Sequence, residues 1–170
     1  MILKLEEFEK AILSGDVDSF IYLLDHSDHD NLDQVIYFAG ANNEYFLKIL
    51  VEYGIDISPA LINALDAGDN DTLRRLFEYG ADGRILNDNP SAIFLNSFLQ
   101  NMDTETIEIL VEFGVNVEQA LSGAVFSGDA KFISVILENS EKLDIDMRVL
   151  INAIDDNAVT GEIIQLLIKY

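Results

Sequence analysis

The sequence predicts an all-α fold, an α-solenoid of about six stacked helix-turn-helix units that spans residues 1–170 as a single domain. Three observations lead there. Near-copies of one short segment recur along the chain, apolar residues recur at helical spacing, and proline is confined to Pro59 and Pro90, so little interrupts helix formation.

The recurring segment is clearest in three places: Leu50-Val51-Glu52-Tyr53-Gly54, Leu76-Phe77-Glu78-Tyr79-Gly80 and Leu110-Val111-Glu112-Phe113-Gly114. At a constant offset before each closing glycine stands a turn pair, Asn42-Asn43, Gly68-Asp69 and Met102-Asp103. The same offset relates Gly15-Asp16 to Ser27 and Gly128-Asp129 to Ser140. One unit reads as follows. A first helix carries an apolar stripe such as Leu61, Ala64 and Leu65 and ends at the Gly-Asp turn. Asp69 or Asp129 then caps a second helix, whose stripe is Leu73, Leu76 and Phe77, or Ile133, Ile136 and Leu137. A left-handed glycine such as Gly80 closes it. Helices this short cannot bury their apolar faces alone, so each pair must stack on its neighbours. Ala11, Ala64, Ala124 and Ala153 keep the first helices slim at one position, which Phe38 and Phe98 hold in the other two units.

This pattern resembles the ankyrin repeat, and the resemblance runs over nearly the whole chain. Leu61-Ile62-Asn63-Ala64, Gly68-Asp69, Leu76 and Gly80-Ala81-Asp82 form the best copy, and units start near residues 5, 32, 58, 92, 118 and 147. The Thr-Pro-Leu-His tetrapeptide of that family is missing, and most connections are too short for its projecting β-hairpin finger. At most a trace of strand is expected, around residues 82–91. The resemblance implies a protein-binding module that engages its partner through a concave face. The matching positions at the ends of first helices are Asp66, Gln100, Asn101, Phe126, Asp155 and Asp156. Those on the finger side are Asp56, Ser58, Asp82, Asn87, Asp88 and Asn89. Phe126 is the one aromatic in the set and the natural anchor.

Charge narrows the partner. Ten Lys and Arg face 31 Asp and Glu, a formal charge of −21. No base lies between Asp16 and Leu47, or between Ile85 and Ala130. Such a surface repels phosphate backbones and anionic membranes and steers basic proteins inward. The expected partner is therefore a basic protein, not nucleic acid and not a membrane, with the chain itself a monomer. The sharper form is a neutralising protein of the immunity-protein or antitoxin kind. The alternative is a nucleic acid mimic, whose carboxylates would run in a phosphate-like stripe and block a DNA- or RNA-binding protein.

Catalysis and cofactors find no support in the motifs. Cysteine is absent, which removes thiol nucleophiles, thiolate metal sites and disulfides, and fits a reducing compartment. Acidic residues follow the first few apolar ones where a signal peptide would continue, and no apolar run nears the ~20 residues of a membrane helix, so the expectation is a cytoplasmic protein. His26 and His29 are the only histidines, set among Asp25, Asp28 and Asp30. These are metal-ligand types, but they lie in a polar connection past a helix end, and no metal is expected. Asp144 and Asp146 lack the glycine and terminal glutamate of a calcium loop. Phosphate-binding glycine loops, nucleophile elbows and zinc-protease motifs do not occur, so an enzyme is not expected.

Overall fold

The computed structural model describes residues 5–27, 29–87, 104–115, 133, 134, 161 and 165. Every regular element among them is helical. The chain divides into two compact units, Met1–Asp82 and Gly83–Tyr170.

The first unit is three helix pairs in series. The first pair is α1 (Leu5–Ser14) and α2 (Val17–Asp25), followed by a 3-10 turn at His29–Asn31. The second is α3 (Asp33–Asn42) and α4 (Glu44–Glu52), and the third is α5 (Ala60–Ala67) and α6 (Asn70–Glu78). Each first helix packs on its own second helix, and the first helices also pack in sequence, α1 on α3 and α3 on α5. The spacing of apolar residues explains this. Phe8, Ala11 and Ile12 of α1, Val35, Ile36, Ala39 and Gly40 of α3, and Leu61, Ala64 and Leu65 of α5 are all buried, each set one helical stripe. A run of edge-to-face rings joins the first two pairs: Phe8 meets Phe20 at 5.4 Å between centroids, and Phe20 meets Phe46 at 4.8 Å. All three rings are essentially fully buried, which stabilises by about 1.5–3 kcal/mol each.

The turns work as the residue pattern requires. Asp16 and Asp69 accept from the backbone N–H groups of Ser19 and Thr72, both at 3.0 Å, and also from their hydroxyls at 2.7 and 2.8 Å. Asn43 accepts from the Tyr45 N–H. Gly54, Gly80 and Gly114 close their helices at φ of +74°, +95° and +74°, where a side chain would be strained.

One expectation is corrected. Phe38 does not hold the small-residue position of α3; Ala39 does, fully buried, while Phe38 is half-buried. Only Asn43 separates α3 from α4, and its N–H donates to Ala39 O at 2.9 Å. The corresponding bonds in the neighbouring pairs run from Asp16 to Ala11 and from Asp69 to Ala64, each spanning one residue more. Asn42 stays helical where Gly15 and Gly68 turn left-handed, so α3 is read one residue, or 100°, out of step. Within residues 82–91, where at most a trace of strand was expected, Arg84–Asn87 make a single helical turn, α7.

In the second unit the next described helix is α8 (Thr104–Glu112), in which Thr106, Ile107, Ile109 and Leu110 are buried. The Val115 N–H donates to Leu110 O, as Ala81 does to Leu76 O and Ile55 to Leu50 O, so α8 ends like the second helices of the first unit. Phe98, Ala124, Asp129 and Ala153 lie outside the described residues.

Candidate interaction surface

Of the twelve residues expected to meet a partner, five have a described environment or position. Asp66, near the end of α5, and Asp56, in the connection before it, are exposed. Asp82 is half-buried, and Asn87 ends α7. Ser58 is 4% exposed and works inside the fold. Its N–H and hydroxyl both donate to Asp56 Oδ1, at 2.9 and 2.6 Å, and its oxygen accepts from the Asp82 N–H at 2.8 Å. This ties the entry of the third helix pair to its exit. Asp88, Asn89, Gln100, Asn101, Phe126, Asp155 and Asp156 lie outside the described residues.

Sequence reasoning left out three features. The first is a set of contacts across the joints between successive pairs. Tyr79, at the exit of α6, donates its hydroxyl to Glu44 Oε1 of α4 at 2.6 Å. Arg75 of α6 lies 3.9 Å from the same carboxylate and donates to Gly40 O of α3. Tyr53 holds the position of Tyr79 one pair earlier and reaches back to Asp25 at a longer 3.5 Å; Tyr37 reaches Asp69 at 3.4 Å. Each phenol is held above its usual range: Tyr79 by its hydrogen bond to Glu44 first, Tyr53 and Tyr37 by desolvation and then by the carboxylate beside them. Gly40 is a close-approach glycine, because a Cβ there would lie 3.0 Å from the Thr72 Cγ2.

The second feature is a set of exposed apolar and aromatic side chains among the acids: Leu13, Tyr22, Tyr45 and Tyr53, between 68% and 41% exposed. Three of the four are on or at the end of a second helix, and Asp18, Asp25, Glu44 and Glu52 are exposed on the same helices. The signal was present, since tyrosine at positions where the stripe needs no ring points outward. The third feature is an open groove of about 520 Å³ between α1 and α2, flanked by Lys10, Asp18, Ser19, Tyr22 and Leu23.

The histidines are occupied at the end of α2. His26 Nδ1–H donates to Tyr22 O at 2.7 Å and its ring stacks on Tyr22, while His29 Nε2–H donates to Leu24 O at 3.0 Å. Both bond carbonyls in the last turn of α2, where Leu24 O also accepts from the Ser27 N–H. Among the described residues no three His, Asp or Glu side chains gather as a metal site would require, and no helix is long and apolar enough to cross a membrane.

Neither a family model, nor a curated protein, nor a solved structure matches the chain.

Proposed function

We propose that the chain is an acidic, ankyrin-like solenoid of about six helix pairs that works as a monomeric protein-binding module, not an enzyme. Its partner is a basic protein, which it binds in the cytoplasm and neutralises in the manner of an immunity protein or antitoxin. The observation that carries this reading is the mixture on the second helices: exposed Tyr22, Tyr45 and Tyr53 stand among exposed acids. Tyrosine supplies rigid contact area at low entropic cost, and carboxylates supply steering and register, a combination suited to a protein partner. A nucleic acid mimic needs its acids in an unbroken stripe, and here rings interrupt them.

The few bases of the first unit add to the argument. Lys48 lies 3.8 Å from Glu52, and Arg75 is committed to Glu44 and Gly40, so these two cations soften the acidic surface little. Asp66 and Asp56 extend that surface toward the ends of the first helices.

The test begins with copurification and mass spectrometry to identify the partner, followed by binding with two sets of charge reversals. Asp66→Lys and Asp56→Lys probe the ends of the first helices, and Asp18→Lys with Tyr45→Ala probes the second helices. Loss of affinity on either side locates the face. A partner that proves acidic, or unchanged affinity across both sets, ends the reading.

A further inference from the structure

We propose that the groove between α1 and α2 is a docking seat within this acidic, tyrosine-bearing surface, and that it takes a basic helix of the partner in the way α6 takes α3. The inference rests on the reading above only for the partner's charge. The shape of the groove follows from the likeness of the helix pairs to one another.

Counting from the capping residues Asp16, Asn43 and Asp69, the third residues onward are Ser19, Phe46 and Thr72. Two of these touch the preceding helix pair. The Phe46 ring packs on Phe20, and the Thr72 methyl group meets Gly40. The same count gives Tyr22 as the counterpart of Arg75, which donates to Gly40 O, and Leu23 as the counterpart of Leu76, whose Cδ2 would lie 3.9 Å from a Cβ at Gly40. On α6, then, Thr72, Arg75 and Leu76 form a bed for the neighbouring helix α3, which crosses it at a glycine. On α2, Ser19, Tyr22 and Leu23 occupy the same three positions and flank an open groove. Ser19 even repeats the cap of Thr72, its hydroxyl turned to Asp16 as that of Thr72 is to Asp69, so the two beds share their backbone frame.

The occupant follows from the bed and the charge. A helix fills the equivalent space on α6, with a small residue at the crossing, so a helix with glycine or alanine there fits this one. Among the described residues Glu7, Asp16 and Asp18 edge the groove against one cation, Lys10, which favours a helix flanked by lysine or arginine. A second copy of the chain is disfavoured, since each carries a formal charge of −21.

The experiment uses the full chain and a synthetic helical peptide that carries the packing face of α3, the counterparts of Val35, Ile36, Ala39 and Gly40, with lysine elsewhere. Affinity is read by anisotropy and the site by backbone amide shifts. The expected result is saturable binding with shifts concentrated between Glu7 and Leu23. Leucine in place of the peptide's glycine weakens it about tenfold or more, as do Ser19→Arg and Tyr22→Ala in the protein, while Asp66→Lys leaves it unchanged. Circular dichroism checks that each variant is folded, and Tyr22→Ala, at an exposed site, stands in if Ser19→Arg is not. Three results overturn the seat: no binding, shifts spread evenly over the acidic surface, or indifference to both the glycine and Tyr22. Self-association abolished by Ser19→Arg would also overturn it, by making the occupant a second copy. None of these outcomes touches the basic-partner reading, which stands or falls on the natural partner.

Discussion

Gly40 shows how much a single atom decides in this packing. A methyl group there would lie 3.0 Å from the Thr72 Cγ2, tighter than ordinary contact, in a place where α3 and α6 are already closely packed. Gly40→Ala is expected to destabilise by about 1–3 kcal/mol, the usual cost of overpacking. Thr72→Ser removes the opposing methyl while keeping the hydroxyl that bonds Asp69, so in that background the cost should fall by about 1 kcal/mol. Urea unfolding of the four proteins measures the coupling, and additive effects would show that the contact is not the cause. Gly80 is the opposite case. Nothing lies within 4 Å of a Cβ there, so space is free and only the backbone objects, at φ +95°. Gly80→Val should cost about 1–2 kcal/mol through strain alone, read as a lower midpoint with an unchanged denaturant slope.

Between elements, the joints are held by polar contacts as well as apolar stripes. Ser58 is buried and bonds both to Asp56 and to the Asp82 N–H, so Ser58→Ala leaves a donor without its acceptor. A loss of about 1–3 kcal/mol is expected in thermal or urea unfolding. The Tyr79–Glu44 bond joins α6 to α4 and gives a pH signature. Its hydrogen bond to a carboxylate raises the phenol above the ordinary value of about 10. The neutral phenol is thus favoured by folding. Its contribution is complete below the unfolded value and disappears as pH rises through the folded one. Unfolding measured from about pH 9 to 11.5 should show stability falling across that window, and falling less steeply in Tyr79→Phe. Equal slopes would show that the Tyr79–Glu44 bond adds nothing to stability. Asp16 works in the other direction: its bonds from the Ser19 hydroxyl and N–H lower its pKa, so its contribution holds above the unfolded value and is lost as pH falls through the folded one.

At the scale of the whole molecule, charge dominates what a partner meets. With 31 acids against ten bases, attraction toward a basic protein acts over distance and is screened beyond about 8 Å at physiological ionic strength. Association with the partner should therefore slow steeply as salt is raised from low to physiological concentration, while dissociation changes little. Stopped-flow rates at several ionic strengths test this, and an association rate indifferent to salt would return the charge to a role in solubility alone.

Much of the local architecture was legible in the residues because its causes are local. Closing glycines, capping aspartates and apolar stripes each act within one or two helical turns, and Gly54, Gly80, Gly114, Asp16 and Asp69 do what their positions require. Even the error of register, Phe38 for Ala39, came from a turn in which Asn42 replaces the glycine that marks the turns at Gly15 and Gly68. The candidate surface was much less legible. Its acids could be read off the chain, but the burial of Ser58, the Gly40–Thr72 contact, the reach of Tyr79 to Glu44 and the groove beside Ser19 could not. The first three join residues 24 to 35 positions apart, and all four depend on which side of one short helix meets which side of another. Periodicity marks a buried stripe on each helix, but only the packed structure decides which stripe is covered by a neighbour and which is left open to a partner.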